Sequence, residues 1–373
     1  MIFADQITTA ILVFLIFWIL IYIVGKSLKL EKHGFEIKPL VLICRTKKVN
    51  SFIDWATQRL STSVPVLTDI SIVMGIGMMI FGAYKLSFNL YFFFSAPVQA
   101  SPIFPAIPFL TIRESLPFFL MSIVILIVMH ELAHGIAARY ENIPIKSAGI
   151  LLLAIIPGGF VEPDEESFKK AERRKKLRIL AAGSSANLFF GIIVAVIMLS
   201  FFQPSGVLIT NVVEDSPAAK VGIQSGDIIK AVDGISTPNL NTFRELMTNV
   251  KVGTTLAIEL ESTDGLLTTV TLTTIADSDN PNRAIIGVYP TDNVAITPLY
   301  QALFWMQLWS INLAIVNMFP IYPLDGDGLL YNIVEKYAKN YSKHIRIAAT
   351  AGFLALLGLN MVFTYTIFGF ISI

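Results

Sequence analysis

Six long runs of apolar residues recur along the chain, separated by shorter polar segments. Each run approaches the ~20 residues that an α-helix needs to cross a ~30 Å hydrocarbon core. The pattern therefore predicts six membrane-spanning helices, at residues 7–25, 65–85, 117–138, 179–202, 298–319 and 347–370. A further apolar stretch at 86–112 carries Pro102, Pro105 and Pro108. Because proline interrupts a helix, we interpret it as an outer loop that skims the lipid.

The pattern changes to that of a small soluble domain between the fourth and fifth runs. Residues 206–213 alternate in polarity and are rich in β-branched side chains, as in a strand. Two further alternating stretches flank Asp264 and Gly265, an arrangement typical of a hairpin. Residues 239–249 have the spacing of an amphipathic helix that begins at an Asn or Thr cap. We therefore predict an α+β domain outside the membrane at 204–292.

Composition agrees with a polytopic membrane protein. Of the 373 residues, 54% are hydrophobic and 15% are charged, whereas soluble domains are about 25% charged. The first run lacks a basic leader and is long enough to span, so we expect a retained helix and no cleaved signal peptide. The single cysteine, Cys44, excludes an intrachain disulfide or a cysteine-based zinc site. The net charge of +1 identifies no class of partner, and we expect no nucleic acid.

The distribution of Lys and Arg predicts an orientation. Segments 26–64, 139–178 and 331–346 carry eight, nine and four of these residues, whereas 86–116 carries one. The region 204–296 has five against eleven acidic residues. Since cytoplasmic loops are enriched in Lys and Arg, we expect the three basic segments to face the cytoplasm. The predicted α+β domain would then lie on the outer side.

Candidate chemistry lies at the end of the third run, in the sequence HELAH. His130 and His134 are four residues apart, so on a helix both imidazoles project from one face. This spacing allows two ring nitrogens to reach one Zn²⁺, with Glu131 beside them as a general base. Ionisable groups within an apolar membrane segment are costly and mark functional sites. We therefore predict a metal site near the cytoplasmic end of this helix.

A catalytic zinc site takes a third protein ligand and keeps one position open. The fifth run ends in the sequence NMFPIYPLDGDG, in which Asp325 follows Pro320 and Pro323. A broken helix at membrane depth is tolerated where it faces protein or water, and a catalytic cavity offers both. Asp325 lies at the same predicted depth as the two histidines, which makes it a candidate for the third ligand.

The pairing of HELAH with the later N-x-F-P-x-x-P-L-D-G motif resembles the site-2 protease family of intramembrane zinc metalloproteases (peptidase family M50). The resemblance implies that His130, His134 and Asp325 bind one Zn²⁺ per chain and that Glu131 is catalytic. It covers roughly residues 115–330. The stretch 216–234 resembles a PDZ domain of bacterial and archaeal proteases, which either binds a peptide or excludes bulky substrates.

Further segments fit the same family. Asn317 matches an asparagine that engages the extended substrate backbone, with structural packing as the alternative. Residues 147–162 resemble a membrane-associated β-segment around Gly159, Phe160 and Val161, which either contacts substrate or forms a β-hairpin that only packs on the core. The stretch 181–187 resembles the family's A-G-P-x-x-N, with Ser184 in place of proline; we expect Asn187 to bond across helices without a direct catalytic role. Asp327 is either a neighbour of the metal site or simply solvated.

The sequence thus predicts an α-helical polytopic membrane protein with about six transmembrane helices and a small α+β PDZ-like domain. The predicted divisions are residues 1–116 (first two helices, basic loop and outer loop), 117–203 and 293–373 (the two parts of a catalytic core) and 204–292 (the PDZ-like domain). The implied function is intramembrane proteolysis of membrane-spanning proteins in the lipid bilayer. Its alternatives are a metal-binding or transport protein, a non-catalytic scaffold, and a protease for prenylated proteins. The last would need a downstream helical Glu ligand, which we do not find in a suitable setting.

Overall fold

A computed structural model of the chain describes residues 2–46, 48–107, 111–112, 115–154, 156–278 and 280–369. It divides into two compact parts. The membrane unit comprises Met1–Ala195 and Gln301–Ile373, and the α+β unit comprises Val196–Tyr300.

The described helices are α1 (Ile2–Ser27), α2 (Lys48–Arg59), α3 (Val64–Ser95), α4 (Leu116–Tyr140), α5 (Glu165–Lys170), α6 (Arg173–Phe201), α7 (Pro217–Lys220), α8 (Leu240–Asn249), α9 (Pro298–Asn317), α10 (Asp325–Tyr337) and α11 (Ser342–Phe368). The strands are β1 (Phe35–Lys38), β2 (Val41–Thr46), β3 (Ile145–Leu153), β4 (Ile156–Pro163), β5 (Val207–Val212), β6 (Ile228–Val232), β7 (Ile235–Ser236), β8 (Thr255–Glu261), β9 (Leu267–Thr273), β10 (Ile275–Ala276), β11 (Ala284–Ile285) and β12 (Val288–Asp292).

Within the described residues, five helices are long and apolar enough to cross a membrane: α3, α4, α6, α9 and the segment Lys339–Phe368 that contains α11. They coincide with five of the six predicted spans. The remaining predicted span, 7–25, lies within α1, whose apolar part is described over Phe14–Ser27. The chain is therefore a polytopic membrane protein with a small α+β unit, as the sequence predicts.

The predicted end of the second span is wrong. Helix α3 runs to Ser95, about ten residues further than expected, because the next proline is Pro97 and nothing before it interrupts the helix. The loop begins only there. Asn89 near the end of α3 exchanges two hydrogen bonds with the Ser101 backbone, at 2.9 and 2.7 Å, and so fixes the returning chain. Pro108 lies outside the described residues.

A four-stranded antiparallel sheet forms in the membrane unit, in the order β1-β2-β3-β4. Its strands β3 and β4 come from the segment 147–162 that the sequence singled out. Strands β1 and β2 come from the basic segment 26–64, which carries no comparable signal. Strand β2 pairs with β3 from Val41–Leu153 to Thr46–Ala148. Strand β4 is left at the edge of the sheet, and it packs beside α4.

Helices α3, α6, α9 and α10 share a buried core in the membrane unit. Its buried members are Met78, Leu177, Ala181, Ala314, Met318 and Leu329. Near one end of α6, Arg178 donates hydrogen bonds to Asp69 of α3 at 2.7 and 2.8 Å and to Glu141, just after α4, at 2.6 Å. This ion network, together with a second buried cluster that includes Ala137 of α4 and Ala182 of α6, fixes the position of α6 against the helix that carries HELAH.

The α+β unit is built as predicted from a sheet and short helices. The sheet has the order β12-β5-β6-β8-β9, with β7 paired to β6, and the predicted hairpin is β8–β9. The predicted amphipathic helix is α8, which the Asn239 side chain caps by accepting from Thr242 N. The buried hydrophobic core lies between these elements: Val207, Ile209, Ala218, Ile223, Ile229, Val232, Phe243, Leu256, Ile258, Leu260, Leu272 and Ile286.

Candidate active site

The two histidines of HELAH lie on the buried side of α4, one turn apart. His130 is 6% exposed and His134 is 9% exposed. Their rings lie against α6 at Gly183, where an added Cβ would come within 2.7 Å of His130 Cε1. A glycine at this position therefore gives the imidazoles the room to lie against the backbone of α6.

Asp325 is the first residue of α10, at the end of the turn that follows α9. The next residue, Gly326, packs so closely on the preceding chain that an added Cβ would lie 2.6 Å from the carbonyl oxygen of Phe319. The Asp-Gly pair thus allows the chain to fold back on itself and return the carboxylate to the helix bundle. The side chain of Asp325 is 21% exposed.

The three predicted ligands converge. Asp325 Oδ2 lies 3.1 Å from His130 Nε2 and 3.1 Å from His134 Nε2, and the two Nε2 atoms are 3.0 Å apart. Ligands at ~2.0–2.1 Å from a tetrahedral Zn²⁺ would be about 3.3 Å apart. The triangle of donor atoms therefore fits a single ion, and the two-nitrogen, one-carboxylate set is one that zinc accepts.

Glu131 is held beside this triangle by the edge strand. Its Oε2 accepts a hydrogen bond of 2.8 Å from the backbone N–H of Val161 on β4. At Gly159 of the same strand, an added Cβ would lie 3.1 Å from Glu131 Cγ. A cavity of about 330 Å³ is lined by Glu131, Val161 and the three converging residues, together with side chains of α5 and α6. The carboxylate thus faces a space large enough for water and for part of a peptide.

Two predicted substrate contacts, Asn317 and Phe160, differ in position: the side chain of Asn317 lies next to a predicted metal ligand, and that of Phe160 does not. Asn317, the last residue of α9, brings its Nδ2 to 3.3 Å from His130 Nε2. Phe160 alternates with Gly159 and Val161 along β4, and its ring lies under the Arg45 guanidinium at 5.1 Å. The side chain of Phe160 therefore lies on the face of the sheet away from α4, whereas the Cβ direction of Gly159 meets Ile127 and Glu131 of α4.

Two contacts from α6 reach the outward nitrogens of the imidazoles. The carbonyl oxygen of Ile179 lies 2.6 Å from His134 Nδ1, and the Asn187 amide nitrogen lies 3.5 Å from His130 Nδ1. The first contact involves the backbone, so the sequence gives no signal for it. The second involves the asparagine of the AAGSSAN stretch, for which the sequence predicts only a bond across helices.

The interpretation of Asp327 as a solvated side chain is wrong. Asp327 is 3% exposed, and both of its carboxylate oxygens accept hydrogen bonds from Arg346 of α11. The guanidinium also lies 5.5 Å from the ring of Tyr331. This pair ties the first turn of α10, and with it Asp325, to α11.

Asp164 precedes α5, whose residues contribute to the cavity wall. Its side chain caps the helix by accepting from the backbone and hydroxyl of Ser167, and it pairs with Lys146 at 3.1 Å. Hydrogen bonds from Ser167, followed by the Lys146 ammonium, lower the pKa of Asp164 to about 2. The cap is therefore charged and intact at neutral pH.

The sequence model of peptidase family M50 matches residues 118–359, which include every converging residue described above. The match covers well over half of the chain. The chain belongs to peptidase family M50. It is a zinc metalloprotease of that family, with several membrane helices.

Individual relatives are similar to this chain over different shares of its length. An uncharacterized protein of Methanocaldococcus jannaschii is 29% identical over 330 residues, covering 86% of this chain and 84% of its own length. A membrane-bound transcription factor site-2 protease homolog of Arabidopsis thaliana is 31% identical over 36% of this chain and 27% of its own. The zinc metalloprotease RasP of Shouchella clausii is 24% identical over 47% of this chain and 54% of its own.

Solved structures match a smaller part of the chain. The PDZ domain of an SdrC-like protein from Listeria innocua is 30% identical over 23% of this chain and 93% of its own, with a TM-score of 0.21. The corresponding PDZ domain from Listeria monocytogenes is 26% identical over 23% of this chain and 87% of its own, with a TM-score of 0.21.

Proposed function

We propose that this chain is a site-2-type intramembrane protease that hydrolyses peptide bonds of membrane-spanning proteins. The observation that carries the proposal is the meeting of His130, His134 and Asp325 at 3.0–3.1 Å in a cavity that Glu131 also faces. All four side chains come from α4 and from α10, which follows the membrane helix α9. A site built on membrane helix α4 and on the turn after membrane helix α9 is accessible to substrates that reside in the bilayer.

In this proposal His130, His134 and Asp325 would hold one Zn²⁺ per chain. A bound Zn²⁺ would supply polarisation of the scissile carbonyl and a more acidic attacking water. Glu131 takes the proton of that water at its carboxylate and returns it to the leaving amine. The N–H of Val161 holds the carboxylate in place through Oε2, which leaves Oε1 free to exchange the proton.

The edge strand β4 supplies the docking surface for the substrate in this proposal. A helix hides its carbonyls in its own hydrogen bonds, so the substrate segment must unwind before cleavage. An unwound segment can pair with an open sheet edge, here the segment of β4 at Gly159, Phe160 and Val161, apart from the Val161 N–H that Glu131 already occupies. The amide of Asn317 offers both a donor and an acceptor to the substrate backbone next to the metal ligands.

The proposal also assigns a role to each part of the chain. Residues 117–203 and 293–373 form the catalytic core, and residues 204–292 form the PDZ-like domain on the outer side of the membrane. That domain either gates entry by excluding bulky ectodomains or binds a peptide. The active site lies toward the cytoplasm, since the loops next to it are the basic ones.

The proposal is tested by the Glu131→Gln substitution in the full chain, purified in detergent. We expect cleavage of a membrane-spanning test substrate to fall by about 10²–10⁴-fold, because that is the usual contribution of proton transfer, while zinc content stays at one per chain. The matched control is Glu162→Gln on the same strand. The carboxylate of Glu162 pairs with Arg45 at 3.0 Å and does not line the cavity.

Equal cleavage by wild type and Glu131→Gln would overturn the protease assignment. Zinc binding by the wild type without cleavage of any membrane-spanning substrate would favour a metal-binding or transport protein. Loss of zinc in Asp325→Ala and His134→Ala, with the fold retained, is the further expected result. Retention of stoichiometric zinc in both variants would overturn the ligand set.

A further inference from the structure

The side chain of Asn187 meets the far side of the His130 ring within the helix bundle. Asn187 lies on α6, one turn after Gly183, and is completely buried. Its Nδ2 is 3.5 Å from His130 Nδ1. Its Oδ1 is one of the few buried side-chain atoms in the described part of the chain that have no hydrogen-bond partner. A fully buried amide with an orphaned oxygen needs an explanation, because an unsatisfied buried acceptor costs free energy.

The metal site fixes which ring nitrogen of each histidine must carry the proton. Both Nε2 atoms point at Asp325 Oδ2 and at each other, so a shared cation requires both to be deprotonated. A neutral imidazole then carries its proton on Nδ1. His134 has an acceptor for that proton in the Ile179 carbonyl, 2.6 Å away. His130 needs an equivalent acceptor at Nδ1.

The amide of Asn187 supplies that acceptor when it is turned by 180° about its terminal bond. Oxygen and nitrogen of an amide have nearly the same shape, so their assignment follows from the hydrogen bonds that each orientation can make. In the unturned orientation, an N–H of Asn187 faces the N–H of His130, and Oδ1 is left without a partner. In the turned orientation, Oδ1 accepts the Nδ1–H bond. The rotation removes the facing N–H groups and gives Oδ1 a partner, while Nδ2 moves to the former position of Oδ1.

We infer that Asn187 is a positioning residue for His130: its Oδ1 accepts the Nδ1–H bond and keeps Nε2 free and aimed at the metal position. The inference rests on the proposed metal site. Through Ile179 and Asn187, helix α6 then sets the tautomer of both imidazoles. Outer hydrogen-bond partners of this kind typically contribute 10–100-fold to metal affinity.

The test measures zinc affinity by chelator competition on the full chain in detergent. Asn187→Leu keeps the branched shape of the side chain but has no acceptor, and we expect it to weaken zinc binding about 10–100-fold. Asn187→Asp retains an acceptor oxygen, and we expect zinc affinity within about threefold of wild type. The matched control is Asn360→Leu, since Asn360 is also fully buried in a helix but bonds to Asn89 and to the Leu86 carbonyl. We expect Asn360→Leu to lower thermal stability without changing zinc affinity.

Each outcome has a defined meaning. Failure of the wild type to bind zinc would reject the metal site itself. Zinc binding by Asn187→Leu within about twofold of wild type, or an equal loss in Asn187→Asp and Asn187→Leu, would overturn the role of Asn187 while leaving the metal site standing. An equal loss of zinc affinity in Asn360→Leu would show that the effect is a general loss of stability and would also overturn it.

A second measurement needs no substitution at Asn187 and so does not depend on how those variants fold. Histidine labelled with ¹⁵N in the zinc-loaded Glu131→Gln chain gives few signals, since the chain has four histidines. We expect the signal of His130 to show the proton on Nδ1 and the metal on Nε2. The opposite tautomer would overturn the inference.

Discussion

Gly183 shows how much of the candidate site depends on single atoms. An added Cβ at this position would lie 2.7 Å from His134 Cδ2 and 2.7 Å from His130 Cε1, far closer than ordinary contacts allow. The rings cannot retreat without moving both Nε2 atoms away from Asp325. The sequence shows only a glycine within an apolar run, which is equally typical of close helix packing.

We therefore predict that Gly183→Ala lowers zinc affinity by at least about tenfold, an effect comparable to the loss of an outer hydrogen-bond partner. The measurement is zinc affinity by chelator competition, with helix content checked by circular dichroism. Gly77→Ala is the matched control, because Gly77 lies in membrane helix α3 and an added Cβ there meets nothing within 4 Å. Unchanged zinc affinity in Gly183→Ala would show that the rings do not rest on α6.

Residue types and spacing predict the candidate metal ligands better than they predict the residues that hold those ligands in place. The pair His130–His134 and the later Asp325 carry their own sequence signal, and the structure brings their donor atoms together. Burial is what the sequence lacks: Asp327 looks like any carboxylate after a membrane helix, yet it is buried and paired with Arg346. A long-range partner on another helix cannot be read from local sequence.

At the scale of elements, apolar length predicts helices well and predicts their ends poorly. Five predicted spans coincide with long apolar helices, but α3 continues to Ser95 because proline, and not the aromatic composition, ends it. Strands β1 and β2 are the larger omission. They are short, and β2 pairs with β3, which lies more than a hundred residues away in the chain, so their place in the sheet depends on the folded protein.

The ion network around Arg178 ties α3, α4 and α6 together at the end of the bundle nearest HELAH. Arg178 is 13% exposed and Glu141 is 6% exposed at their side chains. Removing one member of a buried ion pair leaves its partner uncompensated, at a cost of about 3–5 kcal/mol. Since Asp69 is more exposed, at 36%, the lower end of that range applies.

We predict that Arg178→Met destabilises the membrane unit by about 3 kcal/mol, measured as reversible unfolding in mixed micelles. Arg45→Met is the control, because Arg45 pairs with Glu162 where both side chains are nearly half exposed, and exposed pairs contribute about 1 kcal/mol or less. Zinc affinity should also fall in Arg178→Met, since the Ile179 carbonyl that contacts His134 is on the adjacent residue. Equal destabilisation by the two substitutions would contradict a structural role for the network.

The whole molecule consists of two units with separate hydrophobic cores. All twelve buried core residues of the α+β unit lie between Val207 and Ile286, so its stability draws on its own side chains. In the membrane unit, α6 and α9 lie side by side, as shown by Gly191, where an added Cβ would meet Ser310 and Ile311. Each unit therefore has a buried hydrophobic core of its own.

We predict that residues 204–292 expressed alone unfold in one cooperative transition, and that Ile229→Ala in this fragment costs about 2–5 kcal/mol because Ile229 is completely buried in its core. Conversely, a chain in which a flexible Gly/Ser linker replaces 204–292 should retain one zinc per chain, since every candidate ligand lies outside that segment. Unfolding of the fragment is measured by circular dichroism, and zinc by chelator competition in detergent. A fragment without a cooperative transition, or a linker chain without zinc, would show that the two units depend on each other for folding.

Comparison of the linker chain with wild type on substrates with short and long ectodomains then separates the two roles open to the α+β unit. A gate predicts faster cleavage of the long substrate after its removal, whereas a peptide-binding module predicts slower cleavage of both.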